Sequence, residues 1–173
     1  MEIEKTGIRE REREAAPADV YEMVLFQRKK FVEHQLMGKV LVKENDRDWE
    51  ITQQGRLKYY LQPHTFKDPV LLDWQVFKHD VRIHSGKHTH QGGLVIFVLE
   101  GKGYTVTDGK KYEWEAGDLI LLPTKPGGVE HQHFNQDPNQ PCKWIAFIYW
   151  PYWDALGSEM TQGELSPDYK AQR

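Results

Sequence analysis

From Pro69 to Trp150 the chain is a succession of short apolar segments separated by glycine and proline turns. Each segment has the length of a β-strand, and several alternate apolar and polar side chains. Asp108-Gly109 is the clearest turn among them, because Asp-Gly between two such segments is typical of a two-residue β-hairpin. Closely spaced short strands with turns of this kind predict an all-β fold, either a sandwich or a barrel.

The N-terminal part has a different pattern. Glutamate and arginine dominate residues 1–16, which we interpret as a solvated arm. A helix is predicted to begin near Asp19 and to continue to about Gln35, because apolar residues recur there at roughly helical spacing. Gly38 is expected to end this helix.

Two strands are predicted between this helix and the β-rich part of the chain. They are the apolar residues 40–42 and the segment 55–61, which Pro63 follows closely. Residues 154–173 are polar and weakly patterned, and we expect them to form an irregular tail on the surface.

Composition and charge exclude several classes of protein. The 173 residues carry a formal net charge of −3, so nothing indicates a nucleic-acid partner. The single cysteine, Cys142, rules out an intramolecular disulfide and a thiolate metal cluster. No apolar run approaches the length of a membrane span, and the charged N-terminus lacks the apolar core of a signal peptide. We therefore expect one soluble, cytoplasmic domain with no membrane partner.

The most informative motif is His88-Thr89-His90, which His131 follows about forty residues later. Residues i and i+2 of a β-strand project to the same face, so His88 and His90 can direct two imidazoles at one point. A third histidine from a distant strand can complete the set. Three neutral nitrogens on one side of a divalent metal leave its other side open for ligands.

The first histidine motif resembles the first of two sequence signatures of the cupins, a family of jelly-roll β-barrels. That signature is a glycine, a His-x-His pair, usually a glutamate, and a closing glycine. Gly86, His88 and His90 match it, and residues 98–103 resemble its ending.

The second cupin signature is Gly-x5-Pro, a short loop with a glycine, and His-x3-Asn. The matching residues, in order, are Gly117, Pro123, Gly128, His131 and Asn135. The resemblance to the family covers roughly residues 66–151.

The resemblance implies a cupin jelly-roll β-barrel, also called a double-stranded β-helix, with an N-terminal helix and strand extension. On this basis residues 1–65 form an arm, helix and strands that pack on the barrel. Residues 66–153 form the barrel, and residues 154–173 form a polar tail. Cupins commonly dimerise, so the resemblance also implies a homodimer.

One departure from the cupin pattern concerns the metal. Most metal-binding cupins carry a glutamate where this chain has Gln91-Gly92-Gly93. The resemblance then implies a three-histidine site of His88, His90 and His131, similar to those of dioxygenases that use Fe(II). Because no carboxylate would offset the metal's charge, an anionic chelating substrate is favoured. Mn, Ni or Zn are alternative metals. Gly92 and Gly93 lack side chains, and we expect them to make room for substrate beside the metal.

Other residues are candidates for contact with substrate. His133 shares a strand face with His131 and is the best candidate for a catalytic base. Its alternatives are an additional metal ligand, a group that contacts the substrate, or an inward histidine with a structural role. Five residues are predicted to line the substrate pocket: Gln91, Arg82, Tyr104, Phe97 and Trp144. His79 and His84 are interpreted as ordinary core or surface histidines.

The resemblance points to an Fe(II) dioxygenase that cleaves a small aromatic or dicarbonyl substrate with O2. A non-oxidative metal-dependent lyase, isomerase or decarboxylase is one alternative. A non-catalytic cupin that binds a small molecule is another.

Overall fold

The computed structural model describes residues 17–172, so the predicted N-terminal arm lies outside the described residues. The chain divides into two compact units, and the second begins at Lys39. The described part of the first contains helix α1, Val20–Met37. Asp19 caps this helix, because its carboxylate accepts a hydrogen bond from the backbone N–H of Glu22, and Gly38 follows its last turn. The predicted helix and both of its ends are confirmed.

The described residues of the second unit form eleven strands, and two short helices follow β10. The strands are β1 Glu50–Thr52, β2 Gly55–Leu61, β3 Trp74–Val81, β4 Lys87–His90, β5 Leu94–Glu100, β6 Lys102–Thr107, β7 Lys110–Glu115, β8 Leu119–Leu122, β9 Val129–Asn135, β10 Cys142–Tyr149 and β11 Thr161–Glu164. The helices are α2 Trp150–Ala155 and α3 Pro167–Lys170, and a single 3-10 turn spans Glu44–Asp46. Within residues 17–172 no helix is long and apolar enough to cross a membrane.

The strands form two antiparallel sheets with a shared apolar core. One sheet has the order β1-β2-β3-β10-β5-β8, and the other has the order β11-β4-β9-β6-β7. Strand β10 shows how the core is built: Trp144, Ala146 and Ile148 are buried, and they alternate with less buried residues. Trp114 of the second sheet packs in the same core. The all-β jelly-roll prediction is therefore confirmed.

Local turn chemistry explains the hairpin between β6 and β7. Asp108 has φ 47° and Gly109 has φ 80°, and two consecutive positive φ angles are the signature of a type I′ turn. The sequence prediction of a hairpin at this position is confirmed.

Two sequence predictions about the edges of this unit are wrong. Residues 40–42 do not form a strand, because the only pairing beside them is an isolated bridge between Lys39 and Pro69. The C-terminal segment is regular rather than irregular, because β11 adds to the outer edge of β4 and Ser166 caps α3. Both errors have one cause: a short strand depends on a partner that its own sequence does not reveal.

The backbone conformation and close contacts of the loop between β4 and β5 require its two glycines. Gly92 has φ +92°, and a Cβ atom at this position would overlap the carbonyl group of Pro123. Gly93 has φ +73°, and its Cβ would meet the ring of Tyr152 at 3.4 Å. The expectation that these glycines make room for substrate is therefore wrong, since protein atoms occupy the space beside them.

We expect Gly92→Ala to destabilise the protein much more than Gly109→Ala. Both positions have positive φ, but a Cβ at Gly109 would have no atom within 4 Å. The strain of alanine at positive φ, about 1–2 kcal/mol, is common to both variants. Overlap with Pro123 should add roughly 1–3 kcal/mol at position 92 alone. Urea unfolding of the two variants measures the difference, and equal losses would contradict a close approach at Gly92.

Candidate functional site

Three histidines from two neighbouring strands converge inside the barrel. His88 and His90 lie on β4 and His131 lies on β9, and the register of the two strands places His88 directly opposite His131. One ring nitrogen from each lies within 4.8 Å of the other two. His90 and His131 are almost completely buried. The structure therefore brings together the three residues that the sequence singled out.

The hydrogen bonds of His131 suit a metal ligand. Its Nδ1 lies 3.1 Å from the carbonyl oxygen of Val129, so Nδ1–H donates and Nε2 keeps its lone pair. That Nε2 is buried with no hydrogen-bond partner in the described part of the chain. Metal-ligating histidines commonly show this arrangement, with one nitrogen bonded to a carbonyl and the other directed at the ion.

His90 needs a local adjustment to bind a cation. The spacing of the trio is compatible with a shared ion, since its nitrogens lie within 4.8 Å of one another and two nitrogens on one ion with bonds of about 2.1 Å are at most about 4.2 Å apart. The Nδ1 of His90 accepts a hydrogen bond of 3.0 Å from the backbone N–H of Gly92. In the metal-free protein this bond leaves the ring proton on Nε2, so ligation by a neutral His90 through Nε2 would require that proton to move to Nδ1 and the hydrogen bond from Gly92 to be released.

Burial keeps the trio uncharged at neutral pH. Desolvation lowers the pKa of His88 to about 2, that of His90 to about 3 and that of His131 to about 4. Repulsion from neighbouring histidines lowers the pKa of His88 and His90 further. Within the described residues the cluster includes no carboxylate. This agrees with the sequence, which has Gln91-Gly92-Gly93 where most metal-binding cupins carry a glutamate. Three neutral nitrogens are a donor set that fits a divalent first-row metal.

The trio opens onto a small cavity of about 100 Å³. This is less than the ~150 Å³ of an engineered apolar cavity that holds benzene. None of the residues that line it is a lysine, an arginine, an aspartate or a glutamate. The lining residues are Gln54, Leu57, Tyr59, Gln75, Phe77, His79, Ser85, His88, His90, Leu94, His131, His133, Trp144, Ile148, Trp153 and Met160.

His133 and Trp144 are the other predicted site residues that lie at this cavity. The Nδ1 of His133 is 2.8 Å from the Oγ1 of Thr105, and its ring lies 4.8 Å from that of Trp144. His133 is outside the group of convergent metal-binding nitrogens. The indole N–H of Trp144 is buried with no hydrogen-bond partner among the described residues.

Phe97 and Tyr104 lie outside the cavity, contrary to the prediction. On β5 the buried residues are Leu94, Ile96 and Val98, so Phe97 points outward and is 40% exposed. On β6 Tyr104 lies next to the buried Thr105, and its ring stacks on that of Phe134 at 4.7 Å. In both cases the predicted residue lies one position along the strand from a buried residue, so its side chain is on the opposite face of the sheet.

Arg82 and Gln91 also lie outside the cavity. Arg82 follows β3, and its guanidinium is exposed and 3.9 Å from the carboxylate of Asp80. The side-chain oxygen of Gln91 accepts a hydrogen bond of 2.8 Å from the backbone N–H of Glu159. Gln91 therefore connects the β4–β5 loop to the segment after α2.

His79 and several residues outside the cupin signatures were missed. His79 is buried, lines the cavity and packs edge-on against Trp144 at 4.7 Å. The alternation of β3 could have found it, since Gln75 and Phe77 line the cavity from the same face. Tyr59 comes from β2, and burial raises its pKa to about 12.

Comparison with known proteins agrees with this architecture. Residues 81–148 match the family described as Cupin domain, and a search of curated proteins gives no match. The polyketide cyclase RemF from Streptomyces resistomycificus is 19% identical with a TM-score of 0.53, and the match covers 78% of this chain and 94% of that one. A PAC13 structure from Streptomyces with uridine is 12% identical with a TM-score of 0.53, over 76% and 97% of the two chains.

A salicylate 1,2-dioxygenase from Pseudoaminobacter salicylatoxidans is also similar. It is 24% identical with a TM-score of 0.45, and the match covers 57% of this chain but only 28% of the length of that chain. Together the sheet topology and the family match over residues 81–148 show a cupin fold.

We expect the metal-free protein to lose stability steeply below about pH 6.5. Each histidine at the cavity is neutral when folded but has an ordinary pKa near 6.5 when unfolded, so the unfolded state binds more protons as the pH falls. The pKa is lowered to about 3 in His79 and well below its usual range in His133, and to between about 2 and 4 in the trio.

The stability that these neutral histidines contribute is therefore fully present above pH 6.5 and is lost as the pH falls from there towards their folded pKa values, which are about 4 for His131 and about 2 to 3 for His88, His90 and His79. Each group contributes about 1.4 kcal/mol per pH unit within that window. Urea unfolding of chelator-treated protein from pH 7.5 to pH 5 measures the slope. A free energy of unfolding that is flat over this range would contradict neutral burial of the cluster.

Proposed function

We propose that this protein is an Fe(II)-dependent dioxygenase that cleaves a small dicarbonyl or aromatic substrate. The observation that carries the proposal is the convergence of three neutral histidines, without a carboxylate, on a small cavity. His88, His90 and His131 would hold the metal. A bound Fe(II) would supply a Lewis acid and a route for electrons between a chelated substrate and O2.

The lining of the cavity favours an anionic, chelating substrate. No lining side chain carries a formal charge, so the metal's positive charge would be the dominant attraction for a ligand. The volume of about 100 Å³ favours the compact enolate of a β-dicarbonyl compound over an aromatic hydroxy acid. The apolar walls, which include Trp144 and Trp153, exclude water from the substrate.

We also propose that the protein is a cytoplasmic homodimer. The outer face of the larger sheet carries cross-strand apolar pairs, Val95 with Leu121 and Phe97 with Leu119. All four side chains are exposed, from 39% for Val95 to 62% for Leu121. A contiguous exposed patch of this kind supports a protein interface, and a second copy of the same sheet would cover it.

Non-oxidative chemistry is a second candidate, and the size of the cavity favours it. A chelated substrate would leave little of the 100 Å³ for O2 beside it. The same histidines with Mn, Ni or Zn would act as a Lewis acid in a lyase, isomerase or decarboxylase reaction.

We expect His88→Ala to remove the metal and His133→Ala to retain it. Loss of one of three ligands should lower metal affinity at least about 100-fold, because even residues outside the ligand set cost 10–100-fold. Metal content of anaerobically purified protein, measured by mass spectrometry, reports the result. His133 is the matched control, since it is a buried cavity histidine on the same strand as His131. Equal metal loss in both variants would mean that the third ligand is misassigned.

We expect the Fe(II)-loaded protein to consume O2 in proportion to product with a β-diketone. The panel should include pentane-2,4-dione, salicylate and gentisate, and the cavity volume predicts the highest kcat/KM for the diketone. The His88→Ala protein is the control for reaction of free iron. Product without O2 uptake would favour the non-oxidative candidate. Binding without turnover across the panel would favour a binding protein.

A further inference from the structure

A buried chain of hydrogen bonds leads from Trp114 through Thr105 to His133. The indole Nε1–H of Trp114 donates to the Oγ1 of Thr105 at 2.9 Å, and the same Oγ1 is 2.8 Å from the Nδ1 of His133. We propose that Trp114 and Thr105 fix the tautomer of His133, so that its Nε2–H faces the cavity as a hydrogen-bond donor for an oxygen of the ligand. The part of this inference that concerns the ligand rests on the proposed function; the tautomer does not.

The direction of each hydrogen bond follows from the groups involved. An indole nitrogen can only donate, so the Oγ1 of Thr105 is the acceptor in its bond with Trp114. The hydroxyl proton of Thr105 needs an acceptor as well, because this residue is completely buried. Among the hydrogen bonds of the described residues, the Nδ1 of His133 is the one other partner of this hydroxyl. Thr105 therefore donates to Nδ1, and the ring proton of His133 is on Nε2.

The opposite assignment is unfavourable. If Nδ1–H of His133 donated to Thr105, this hydroxyl would accept two hydrogen bonds and its own proton would have no acceptor within the described residues. An unsatisfied donor in a dry site costs more than a made hydrogen bond gains. Trp114 matters because it occupies one acceptor position of Thr105 and is itself only 5% exposed.

The fold holds this chain of hydrogen bonds in place. Thr105 on β6 and His133 on β9 are partners in the ladder of the smaller sheet. Gly103 makes room for the indole, because a Cβ there would overlap the ring of Trp114. The backbone of His133 is bonded at both ends, since its N–H donates to the Oγ of Ser85 at 2.9 Å and its carbonyl accepts from the N–H of Ser85 at 2.8 Å.

The Nε2 of His133 is then available to a ligand. His133 lines the cavity, and this nitrogen has no hydrogen bond to protein within residues 17–172. Trp144 also lines the cavity, its ring lies 4.8 Å from that of His133, and its buried Nε1–H lacks a partner there. An N–H donor at Nε2 of His133 favours a ligand with acceptor oxygens. His133 then serves as a donor that orients the ligand, rather than as the base that the sequence suggested.

The tautomer is measured directly by long-range 1H–15N correlation of the histidine side chains in full-length, chelator-treated protein. We expect the His133 signals to show a proton-bearing Nε2 and an unprotonated, hydrogen-bonded Nδ1. A proton-bearing Nδ1 in the unmodified protein would overturn the inference. This measurement requires neither metal nor substrate.

Substitutions at Thr105 test the role of its hydroxyl. Thr105→Val removes the donor with little change in volume, and we expect the Nδ1–H form of His133 to become populated. Thr105→Ser should keep the Nε2–H form. Thr107→Val is the matched control, because Thr107 lies on the same strand and, within the described residues, its hydroxyl makes no hydrogen bond to His133. An unchanged His133 spectrum in folded Thr105→Val protein would contradict the inference.

The donor role is tested with pentane-2,4-dione as the probe and metal-loaded protein. The amide of His133→Gln can place an N–H near the position of Nε2, whereas that of His133→Asn lies near Nδ1. We expect the Gln variant to bind the probe within a few-fold of the unmodified protein. The Asn variant should bind about tenfold more weakly, as the loss of one hydrogen bond predicts. Equal affinities of the two variants would contradict a donor at Nε2.

The outcomes separate this inference from the proposed function. Failure of the histidine trio to bind metal would overturn the proposed function and leave the tautomer assignment intact. Tight metal and probe binding with a proton-bearing Nδ1 on His133 would overturn the inference alone.

Discussion

The antiparallel pairing of β4 with β9 is the constraint on which the site depends. His88 and His90 share a face because they are two residues apart on one strand, and the register sets His88 opposite His131. Strand β11 pairs with the other edge of β4, so the histidine strand is held on both sides. A shift of one residue in this register would turn the histidines away from His131 and disperse the cluster.

The fold also determines the electrostatic environment of the three histidines. The barrel surrounds the trio with apolar side chains and with other uncharged groups, and the cavity lining contains no carboxylate and no basic side chain. Desolvation therefore keeps the imidazoles neutral and able to bind a cation. The same desolvation would concentrate the field of a bound cation on the substrate, because few nearby charges would screen it.

The smaller sheet supports both halves of the site. Strand β9 contributes His131 to the trio and, two residues later, His133 to the wall of the cavity. The nitrogen that each ring presents is decided by a hydrogen bond at the other nitrogen: Val129 bonds the Nδ1 of His131, and Thr105 bonds that of His133. The first bond leaves a lone pair in the cavity and the second leaves a proton there. Two identical side chains on one strand thus have different chemistry.

The sequence by itself determined the local features: the helix from Asp19 to Gly38, the Asp108-Gly109 hairpin, and the His-x-His pair with its distant third histidine. These depend on caps, turn residues and strand periodicity, which are properties of neighbouring residues. The outward facing of Phe97 and Tyr104, the membership of His79 in the cavity wall and the added strand β11 were decided only by the tertiary structure. The physical reason is that strand register and hydrogen-bond partners depend on residues far apart in the chain, as Ser85 and His133 show.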